Sequence, residues 1–476
     1  MKTLEEHKKY VESIAAQMRT IAQDPVGKKI NFVHGGTHST RTEESQDFAF
    51  VDISNLNDVI EVNAKENYAL VEPNVSLDKL LRATLEHDLI PQVIAEFPGI
   101  TVGGAVNGAS LESSSYRYGQ FNDTAEEYEI VLANGEIVRA SQKENTDLFY
   151  GISGSYGTLG LLTLIKLRLR QAKPYVRLCY EPLTSMEDCL RVMKERCADP
   201  AIDYVEAVVT DATHGVVITG TLTGEEGDLT VREYAHANDE WFYLEVEKVA
   251  HKDAMRYELV PIRDYLFRYN RGAFWMGEYF FSFMHLPHHR LLRFVLNPWM
   301  NTKKLYDALR ATNTSQEYFV QDFFVPFDHT NEFIKYSDEK LGIYPLWLCP
   351  MKPTKTAQKL SPQCIDTDFL VDVGVWGQSQ KYLNDAIGLD SIFETFAQTI
   401  GARKMLYARA YYPEKEFWKI YDYDWYKELR KKYHADSAFP EIWEKVHVSG
   451  RKMEHHILKG ALELILQTIE GKNLNS

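Results

Sequence analysis

The sequence predicts a mixed α+β protein of roughly two or three domains. Its 476 residues, 45% of them hydrophobic, supply far more apolar side chain than one small core needs. Strands, glycine turns and helices alternate through the first third of the chain, whereas beyond residue 175 the glycine turns thin out and strands mix with aromatic-rich helices. This change in pattern predicts an N-terminal helix over 1–28, a first domain over 29–175 and a second domain over 176–476.

The elements of the first domain follow from hydrophobic spacing. The opening residues place apolar side chains at helical spacing among charges, which predicts an amphipathic helix. Strands are predicted in KKINFVHGG, FAFVDIS and VIEVNAKENYALVEP, and a helix in SLDKLLRATLEHD with Ser76 as its N-cap. Asn134-Gly135 between two apolar runs predicts a β-hairpin. A short helix, a glycine turn and a long strand are predicted in NTDLFYGISGSYGTLGLLTLIKLRLRQA.

The second domain has fewer local signals. Strands are predicted in GVVITGTL and DFLVDVGVW, and helices in EFWKIYDYDWYKELRKKY and SGRKMEHHILKGALELILQTIEGK. The charge balance of −15 and the lack of a long basic run argue against nucleic acid as a partner. Five cysteines without a CxxC pair indicate neither a disulfide framework nor a zinc knuckle, and favour a reducing compartment.

No apolar run approaches the length of a membrane span. We therefore expect a cytoplasmic protein, or one that rests on a membrane surface, although the net acidic charge argues against attraction to anionic lipid. Exposed aromatic residues in the second domain are compatible with a homodimer.

Three glycine-rich stretches follow or precede predicted strands. In VHGGTHSTR, the N–H groups of Gly35 and Gly36 and the hydroxyls of Ser39 and Thr40 are typical of a pyrophosphate-binding nest, although a plain tight turn has the same composition. The stretch over 101–115 suits a backbone wrapped around a flat, charged ligand, or a surface loop. The third, GISGSYGTLG, is not a GxGxxG between strand and helix, so a Rossmann site is not supported.

The order of these motifs carries a family resemblance. HGGTHST, PGITVGGAVNGASLESSSYRYG, EYEIVLANGEIVRAS and DLFYGISGSYGTLGLL together resemble the FAD-binding domain of the vanillyl-alcohol oxidase and p-cresol methylhydroxylase type. ESSSYRYGQF, AKPYVRL, VQDFFVPF, IYPLWLCP and MLYARAYYPEKEFWKIYDYDWYKELRKKYHADSAFPEIWEKV resemble the Δ24-sterol reductases, flavoproteins that saturate the side-chain double bond of sterols. The resemblance spans residues 30–447. It implies a two-part α/β FAD-binding domain, followed by a substrate or cap domain with an antiparallel sheet flanked by helices.

The resemblance implies FAD as cofactor and NADPH as electron donor. It assigns the flavin contacts to three segments, formed by His34, Gly35, Gly36, Thr37, His38 and Ser39, by Thr101, Gly103, Gly104, Asn107, Gly108, Ser113 and Ser114, and by Gly157, Leu159 and Gly160. A histidine at the position of His38 carries a covalent flavin bond in related oxidases. The sterol reductases hold FAD without that bond, so hydrogen bonding is the alternative role of His38, and His34 is also interpreted as a capping or packing residue.

Two features depart from the sterol reductases. The N-terminal hydrophobic anchor of the animal and plant enzymes has no counterpart in the opening residues, and Phe97-Pro98-Gly99-Ile100 is closer to the general oxidase pattern. Both departures bear on the substrate more than on the flavin.

Flavin chemistry on an unactivated double bond requires a hydride and a proton donor beside an apolar pocket. Asp322 lies in an apolar run, where burial would raise its pKa, although an Asp paired with an arginine is the alternative; Arg268 and Arg271 are the candidate partners, or could stabilise the reduced flavin. The predicted catalytic residues are Asp322, Tyr407 and Arg271, and the predicted substrate contacts are Tyr344, Trp347 and Tyr411. No metal is predicted at His285, His288 and His289, because no carboxylate is spaced to complete a ligand set.

The sequence therefore predicts an FAD-dependent oxidoreductase that uses NADPH as donor to reduce a double bond in the side chain of a sterol or terpenoid-like substrate. An alcohol or lactone oxidase that passes electrons to O₂ is the first alternative, supported by His38 and the Phe97-Pro98-Gly99 pattern. A flavin-retaining sterol carrier without turnover is the second.

Overall fold

The computed structural model describes residues 2–23, 27–33, 48–312, 314–354, 358–448 and 450. Within them, sixteen strands form a two-stranded, a six-stranded and an eight-stranded sheet. The strands are β1 (Ile30–Val33), β2 (Ala49–Asp52), β3 (Val59–Asn63), β4 (Tyr68–Val71), β5 (Leu89–Pro91), β6 (Ala125–Val131), β7 (Ile137–Ser141), β8 (Leu161–Gln171), β9 (Tyr175–Leu183), β10 (Tyr204–Val209), β11 (Gly215–Thr223), β12 (Arg256–Pro261), β13 (Phe319–Pro326), β14 (Leu346–Met351), β15 (Leu370–Gly377) and β16 (Arg403–Lys404).

The helices pack on these sheets or connect them. They are α1 (Leu4–Ala22), α2 (Leu77–Leu85), α3 (Val102–Asn107), α4 (Ser115–Tyr118), α5 (Thr146–Ile152), α6 (Met186–Cys197), α7 (Phe242–Ala250), α8 (Ile262–Leu266), α9 (Met276–Phe283), α10 (Arg290–Leu296), α11 (Thr302–Thr312), α12 (Phe327–Lys340), α13 (Gln380–Asn384), α14 (Ala386–Thr399), α15 (Glu414–Ile420), α16 (Tyr423–Lys432) and α17 (Ile442–Val446). None of those helices combines the length and the apolar character needed to cross a bilayer.

The opening helix is anchored to the first domain by a buried histidine. The amphipathic helix predicted for the opening residues is α1, and it begins with a capping box formed by Thr3 and Glu6. His7 is fully buried and contacts Glu72 at 2.7 Å and Glu129 at 3.0 Å. Burial alone would lower the pKa of His7, but the two carboxylates outweigh it and raise the pKa to about 9.

The first domain has two parts. In the first part β1 and β2 pair in parallel, and the predicted phosphate loop over 34–39 lies outside the described residues. In the second part the strand order is β3-β4-β8-β6-β7, with β5 paired to β8. The predicted hairpin is confirmed, because β6 and β7 pair in antiparallel and Gly135 adopts a φ of +78° in the turn. The predicted N-cap is also confirmed: the Ser76 hydroxyl accepts from the Lys79 N–H.

The eight-stranded sheet is antiparallel, in the order β12-β9-β11-β10-β14-β15-β13-β16. One face is apolar and packs under α6, α12 and α14, as the shared core of Met193, Phe333 and Phe393 with the strands indicates. The other face packs with the first domain in a second core, and we call it the inner face. Because side chains alternate between the two faces of each strand, one face of the sheet packs against helices of the second domain and the other packs against the first domain.

The chain returns to the first domain near its C-terminus. Along the chain, β8 is the last strand of the six-stranded sheet and β9 is the first strand of the eight-stranded sheet. β9 begins at Tyr175, the last residue of the predicted first domain. In α16, however, the Tyr426 hydroxyl donates to the Thr158 hydroxyl at 2.9 Å, and Arg430 donates to the Thr158 carbonyl at 2.8 Å. The segment predicted as part of the second domain thus includes a helix that packs on the first.

Candidate active site

The second glycine-rich segment forms a short helix, α3, rather than an open loop. Thr101 caps it, accepting a hydrogen bond from the Gly104 N–H at 3.2 Å. Gly103 is required by packing, because a Cβ at this position would lie 2.7 Å from the Cβ of Pro73. Gly104 is exposed, and outside the backbone of α3 itself the Thr101 hydroxyl is the one group of the described residues within 4 Å of the Cβ that it lacks. The backbone of α3 is therefore open on its Gly104 side.

Asn107 joins this helix to the third glycine-rich segment. Its Oδ1 accepts hydrogen bonds from the Gly157 N–H and the Ser155 hydroxyl, both at 3.1 Å, and its Nδ2 donates to the Gly103 carbonyl at 2.9 Å. Gly157 has a φ of +74°, and the nearest atom to a Cβ there would be Lys445 Nζ at 3.7 Å. Two segments that are far apart in sequence thus form one surface with accessible backbone.

Three other predicted flavin contacts pack within the two segments that form this surface. Leu159 is fully buried in the core, and a Cβ at Gly160 would lie 2.7 Å from Ile130 Cγ2. Gly108 ends α3, and a Cβ there would lie 3.0 Å from the Gly104 carbonyl. These three residues shape the segments through packing.

The buried carboxyl of Asp322 lies on the inner face of the eight-stranded sheet. The Tyr407 hydroxyl donates to its Oδ2 at 2.5 Å, and its Oδ1 has no hydrogen-bond partner within the described part of the protein. Gly374 is opposite Asp322 on β15, and a Cβ there would lie 2.7 Å from that Oδ1. Burial raises the pKa of Asp322 to about 7. The structure therefore brings together two of the three predicted catalytic residues, Asp322 and Tyr407.

A second carboxyl, Asp372, accompanies Asp322 on the same face. Asp372 is opposite Phe324, so it is the diagonal neighbour of Asp322 across β13 and β15. Such neighbours lie about 7–8 Å apart on antiparallel strands. Asp372 is fully buried, and both of its oxygens lack a hydrogen-bond partner in the residues that the structure describes. Burial, then the charge of Asp322, raise the pKa of Asp372 well above its usual range. Burial and mutual repulsion therefore favour a protonated form of this carboxyl pair.

Arg268 and Glu206 form the fully buried ion pair of this face. Arg268 donates to the two carboxylate oxygens at 3.1 and 2.9 Å, and Trp347 Nε1 donates to the same carboxylate at 2.8 Å. Arg268 also donates to the Ser113 hydroxyl at 3.3 Å. Ser113, predicted as a flavin contact, thus links the first domain to the sheet.

Two further carboxyls reach this contact from the first domain. Glu112 accepts from the hydroxyls of Ser113 and Ser114, and burial raises its pKa. Glu96 Oε1 lies 3.8 Å from Arg268 and makes no hydrogen bond within the described residues. Burial raises the pKa of Glu96 well above its usual range. The domain contact thus contains two buried carboxyl groups whose protonated form is favoured by burial.

Aromatic rings surround the carboxyls. Phe274 contacts Trp347 and Trp376, with ring centroids 5.4 and 4.4 Å apart, and Trp275 contacts Trp376 at 5.5 Å. Phe97 of the first domain lies 5.7 Å from Phe274. The segment that departs from the sterol-reductase pattern therefore lies against this aromatic cluster.

Three predicted site residues lie elsewhere. Arg271 donates to Asn297 at 2.9 Å and to three backbone carbonyls, and burial lowers its pKa to about 10. Tyr344 packs against the apolar face of the sheet, opposite the carboxyls. The Tyr411 N–H donates to Glu394. Neither Arg268 nor Arg271 is the partner of Asp322.

Comparison with known proteins places the chain in a family. A model for an FAD binding domain matches residues 10–141. Delta(24)-sterol reductase of Arabidopsis thaliana is 31% identical over 446 residues, covering 86% of this chain and 78% of the plant protein. The chain belongs to the Delta(24)-sterol reductase family. The human Delta(24)-sterol reductase is 29% identical over 409 residues, covering 83% of this chain and 77% of the human protein. Cytokinin dehydrogenase 7 of Oryza sativa subsp. japonica is 31% identical over 134 residues, covering 27% of this chain and 26% of that protein.

This member of the Delta(24)-sterol reductase family is an FAD-dependent oxidoreductase, and the described residues fit that cofactor. Gly104 and Gly157 offer accessible backbone, as close approach to a flat ligand requires. Next to these segments, the buried hydroxyls of Ser110 and Ser153 have no hydrogen-bond partner among the residues described. Such groups are satisfied by a polar ligand or by water. The contacts assigned to residues 34–39 lie outside the described residues.

Sequence reasoning missed Asp372, Glu96 and Glu206. Asp372 interrupts the apolar run FLVDVGVW in the same way as Asp322 interrupts VQDFFVP, and this shared signal could have identified it. Glu206 in YVEAVV and Glu96 in VIAEF carry the same signal, a single acid within an apolar run. Two clusters of histidine and carboxylate groups are close enough for a cation in the described residues, and neither includes His285, His288 or His289.

Proposed function

We propose that the enzyme reduces a double bond in the side chain of a sterol or terpenoid-like substrate, with NADPH as electron donor. The observation that carries this proposal is the carboxyl of Asp322 on the aromatic inner face: burial raises its pKa to about 7, and its Oδ1 accepts no hydrogen bond from the described residues. The named activity of the relatives supports the same reaction.

The reaction adds one hydride and one proton across the double bond. When bound, reduced FAD supplies the hydride. Asp322 donates the proton from its carboxyl to the second alkene carbon and becomes a carboxylate. Tyr407 keeps the carboxyl oriented through its hydrogen bond to Oδ2. Asp372, the diagonal neighbour of Asp322 on β15, is a second buried carboxyl that can carry a proton. The proton that Asp322 loses is replaced from Asp372 or from solvent before the next turnover.

The surroundings of Asp322 favour an apolar substrate. Phe274, Trp376 and Trp347 present ring surfaces, and the indole N–H of Trp347 is already used by Glu206. The side chain of a sterol offers nothing to hydrogen-bond and loses water on entering such a site, so burial of its apolar surface drives binding.

An anaerobic titration of the purified enzyme tests the proposal. NADPH should bleach the flavin absorbance, and a sterol with an alkene in its side chain, added without oxygen, should restore it, whereas its saturated analogue should not. A flavin that NADPH leaves oxidised, but that an alcohol reduces with release of peroxide in air, would support the oxidase instead. Precipitation with acid tests the role of His38: we expect the colour to stay in the supernatant, and a yellow pellet would show a covalent flavin.

We also propose that the enzyme works in the cytoplasm or at the periphery of a membrane, where its substrate is found. Cell fractionation with and without a high-salt wash tests this location. Recovery of the enzyme only after detergent extraction would contradict it.

A further inference from the structure

The second domain carries a cluster of exposed apolar side chains. Within the described residues thirteen large hydrophobic side chains are exposed, and five of them lie between residues 283 and 295. Their exposed fractions range from 38% to 67%. We call this cluster the apolar patch, and it consists of Phe283, Met284, Leu291, Phe294 and Val295. Single exposed apolar residues are ordinary, but a cluster of this kind marks an interaction surface.

The geometry of α10 explains why the patch faces outward. His289 caps the helix, and Leu291, Phe294 and Val295 follow at the i, i+3 and i+4 spacing of one helical face. Leu292 and Leu296 pack against the core on the other side. The helix is therefore apolar on two faces, and the described part of the chain covers only one of them.

The stretch of chain that carries the patch differs in charge from the whole protein. Residues 279–306 contain four arginines and lysines and no aspartate or glutamate, although the net charge of the protein is −15. Arg293 is paired with Glu240, whereas Arg290 is exposed beside the patch and donates only to the carbonyl of Asn238 among its described contacts. An apolar helix face with an exposed arginine beside it matches the interface of a bilayer, where apolar side chains insert and cations meet phosphate groups.

The patch is continuous with the candidate active site. Phe283 ends α9, and the start of the same helix adjoins Trp275, whose Nε1 donates to the carbonyl of Trp376 at 2.7 Å. A helix of eight residues spans about 12 Å. Trp376 in turn belongs to the aromatic cluster around Asp322. One short helix therefore separates the exposed patch from the residues assigned to the reaction.

We propose that the apolar patch docks the enzyme on a lipid bilayer and is the side from which an apolar substrate enters. The docking itself requires only the exposed apolar side chains and Arg290 beside them. The route of the substrate rests on the proposed function.

Vesicle flotation of the full-length protein tests the docking. We expect the wild-type enzyme to float with vesicles of phosphatidylcholine, and more strongly with vesicles that also contain phosphatidylserine. The variant Leu291→Ser/Phe294→Ser/Val295→Ser should lower the partition coefficient at least tenfold. The matched control is Phe50→Ser/Ile137→Ser/Ile392→Ser, which removes three side chains that are 57%, 40% and 39% exposed elsewhere; it should bind as the wild type does.

Three results would overturn the proposal. The first is a wild-type enzyme that binds neither kind of vesicle, and the second is a patch variant that binds vesicles as well as the control variant does. The third is a patch variant that changes the oligomeric state instead, which would assign the patch to a second copy of the protein.

Flotation is measured without substrate, so its result is independent of the reaction. With substrate in detergent, the patch variant should keep the wild-type rate; with substrate in vesicles, its rate should fall at least tenfold.

Discussion

Replacing Asp322 with Asn removes the proposed proton donor while keeping its shape. The amide oxygen can still accept the hydrogen bond from Tyr407, so the fold is retained. Because the amide cannot donate a proton as an acid, we expect the rate of alkene reduction to fall by about 10²- to 10⁴-fold. Reduction of the flavin by NADPH needs no acid from Asp322 and should be unchanged. Stopped-flow absorbance separates the two half-reactions.

The pH dependence of the reaction rate and of the free energy of unfolding gives a second test of Asp322. With a pKa of about 7, half of the Asp322 carboxyls are protonated at that pH, so the wild-type rate should fall about tenfold per pH unit above it. The folded pKa is raised from 3.8, so folding binds a proton between these values and the free energy of unfolding declines as the pH rises through this window. The decline amounts to about 4 kcal/mol at about 1.4 kcal/mol per pH unit. Asp322→Asn should abolish this pH dependence of the rate and remove about that amount from the decline in the free energy of unfolding, while the raised pKa values of Asp372, Glu96 and Glu112 maintain the rest of the decline.

The control for Asp322→Asn is Tyr407→Phe, which keeps the acid and removes its orienting hydrogen bond. That bond stabilises the carboxylate, so its loss should move the alkaline fall in rate to higher pH, with a smaller loss at neutral pH. The reasoning is refuted if Asp322→Asn reduces the alkene within about threefold of the wild-type rate. It is also refuted if the pH profile of the variant matches that of the wild type.

Three other changes test separate parts of the structure. Arg268→Met leaves the buried charge of Glu206 without its partner and should lower the free energy of unfolding by about 3–5 kcal/mol in urea, with Arg268→Lys losing less. His7→Gln removes a group whose raised pKa stabilises the fold fully below pH 6.5 and loses that effect as the pH rises through about 9. The stability gap between wild type and His7→Gln should therefore narrow by about 3 kcal/mol over this window, measured by urea unfolding at each pH; a gap that widens would contradict it. Asn107→Ala breaks the link between the two glycine-rich segments and should weaken FAD retention about tenfold or more, as fluorescence of the released flavin would show; an unchanged flavin content would contradict the assigned role.

Local signals in the sequence predicted the elements of the first domain well. Apolar spacing and capping predicted α1 and α2, and Asn134-Gly135 predicted the hairpin, because these features depend on residues that are close in sequence. The glycine-rich stretch over 101–115 was harder to interpret, since Thr101 caps a helix there despite two glycines. The helix predicted over 449–472 lies outside the described residues, except for Gly450.

The candidate site could be predicted only in part. Asp322 interrupts an apolar run, so its burial was readable from local sequence. Its neighbours on the inner face come from other strands. Asp372 is diagonal to Asp322 because of the register between β13 and β15, which local sequence does not specify. The same holds for Arg268, whose partner Glu206 is 62 residues away. Arg271 is near in sequence to Arg268 but bonds to backbone carbonyls in another part of the second domain.

A single anaerobic turnover followed by mass spectrometry of the sterol tests the central claim most directly. Enzyme reduced with one equivalent of NADPH is mixed with a sterol that has an alkene in its side chain, and the product is extracted. The account predicts a saturated side chain with two added hydrogens and a flavin that regains its oxidised absorbance at the same rate. An unchanged sterol beside a flavin that stays reduced until oxygen enters would contradict it.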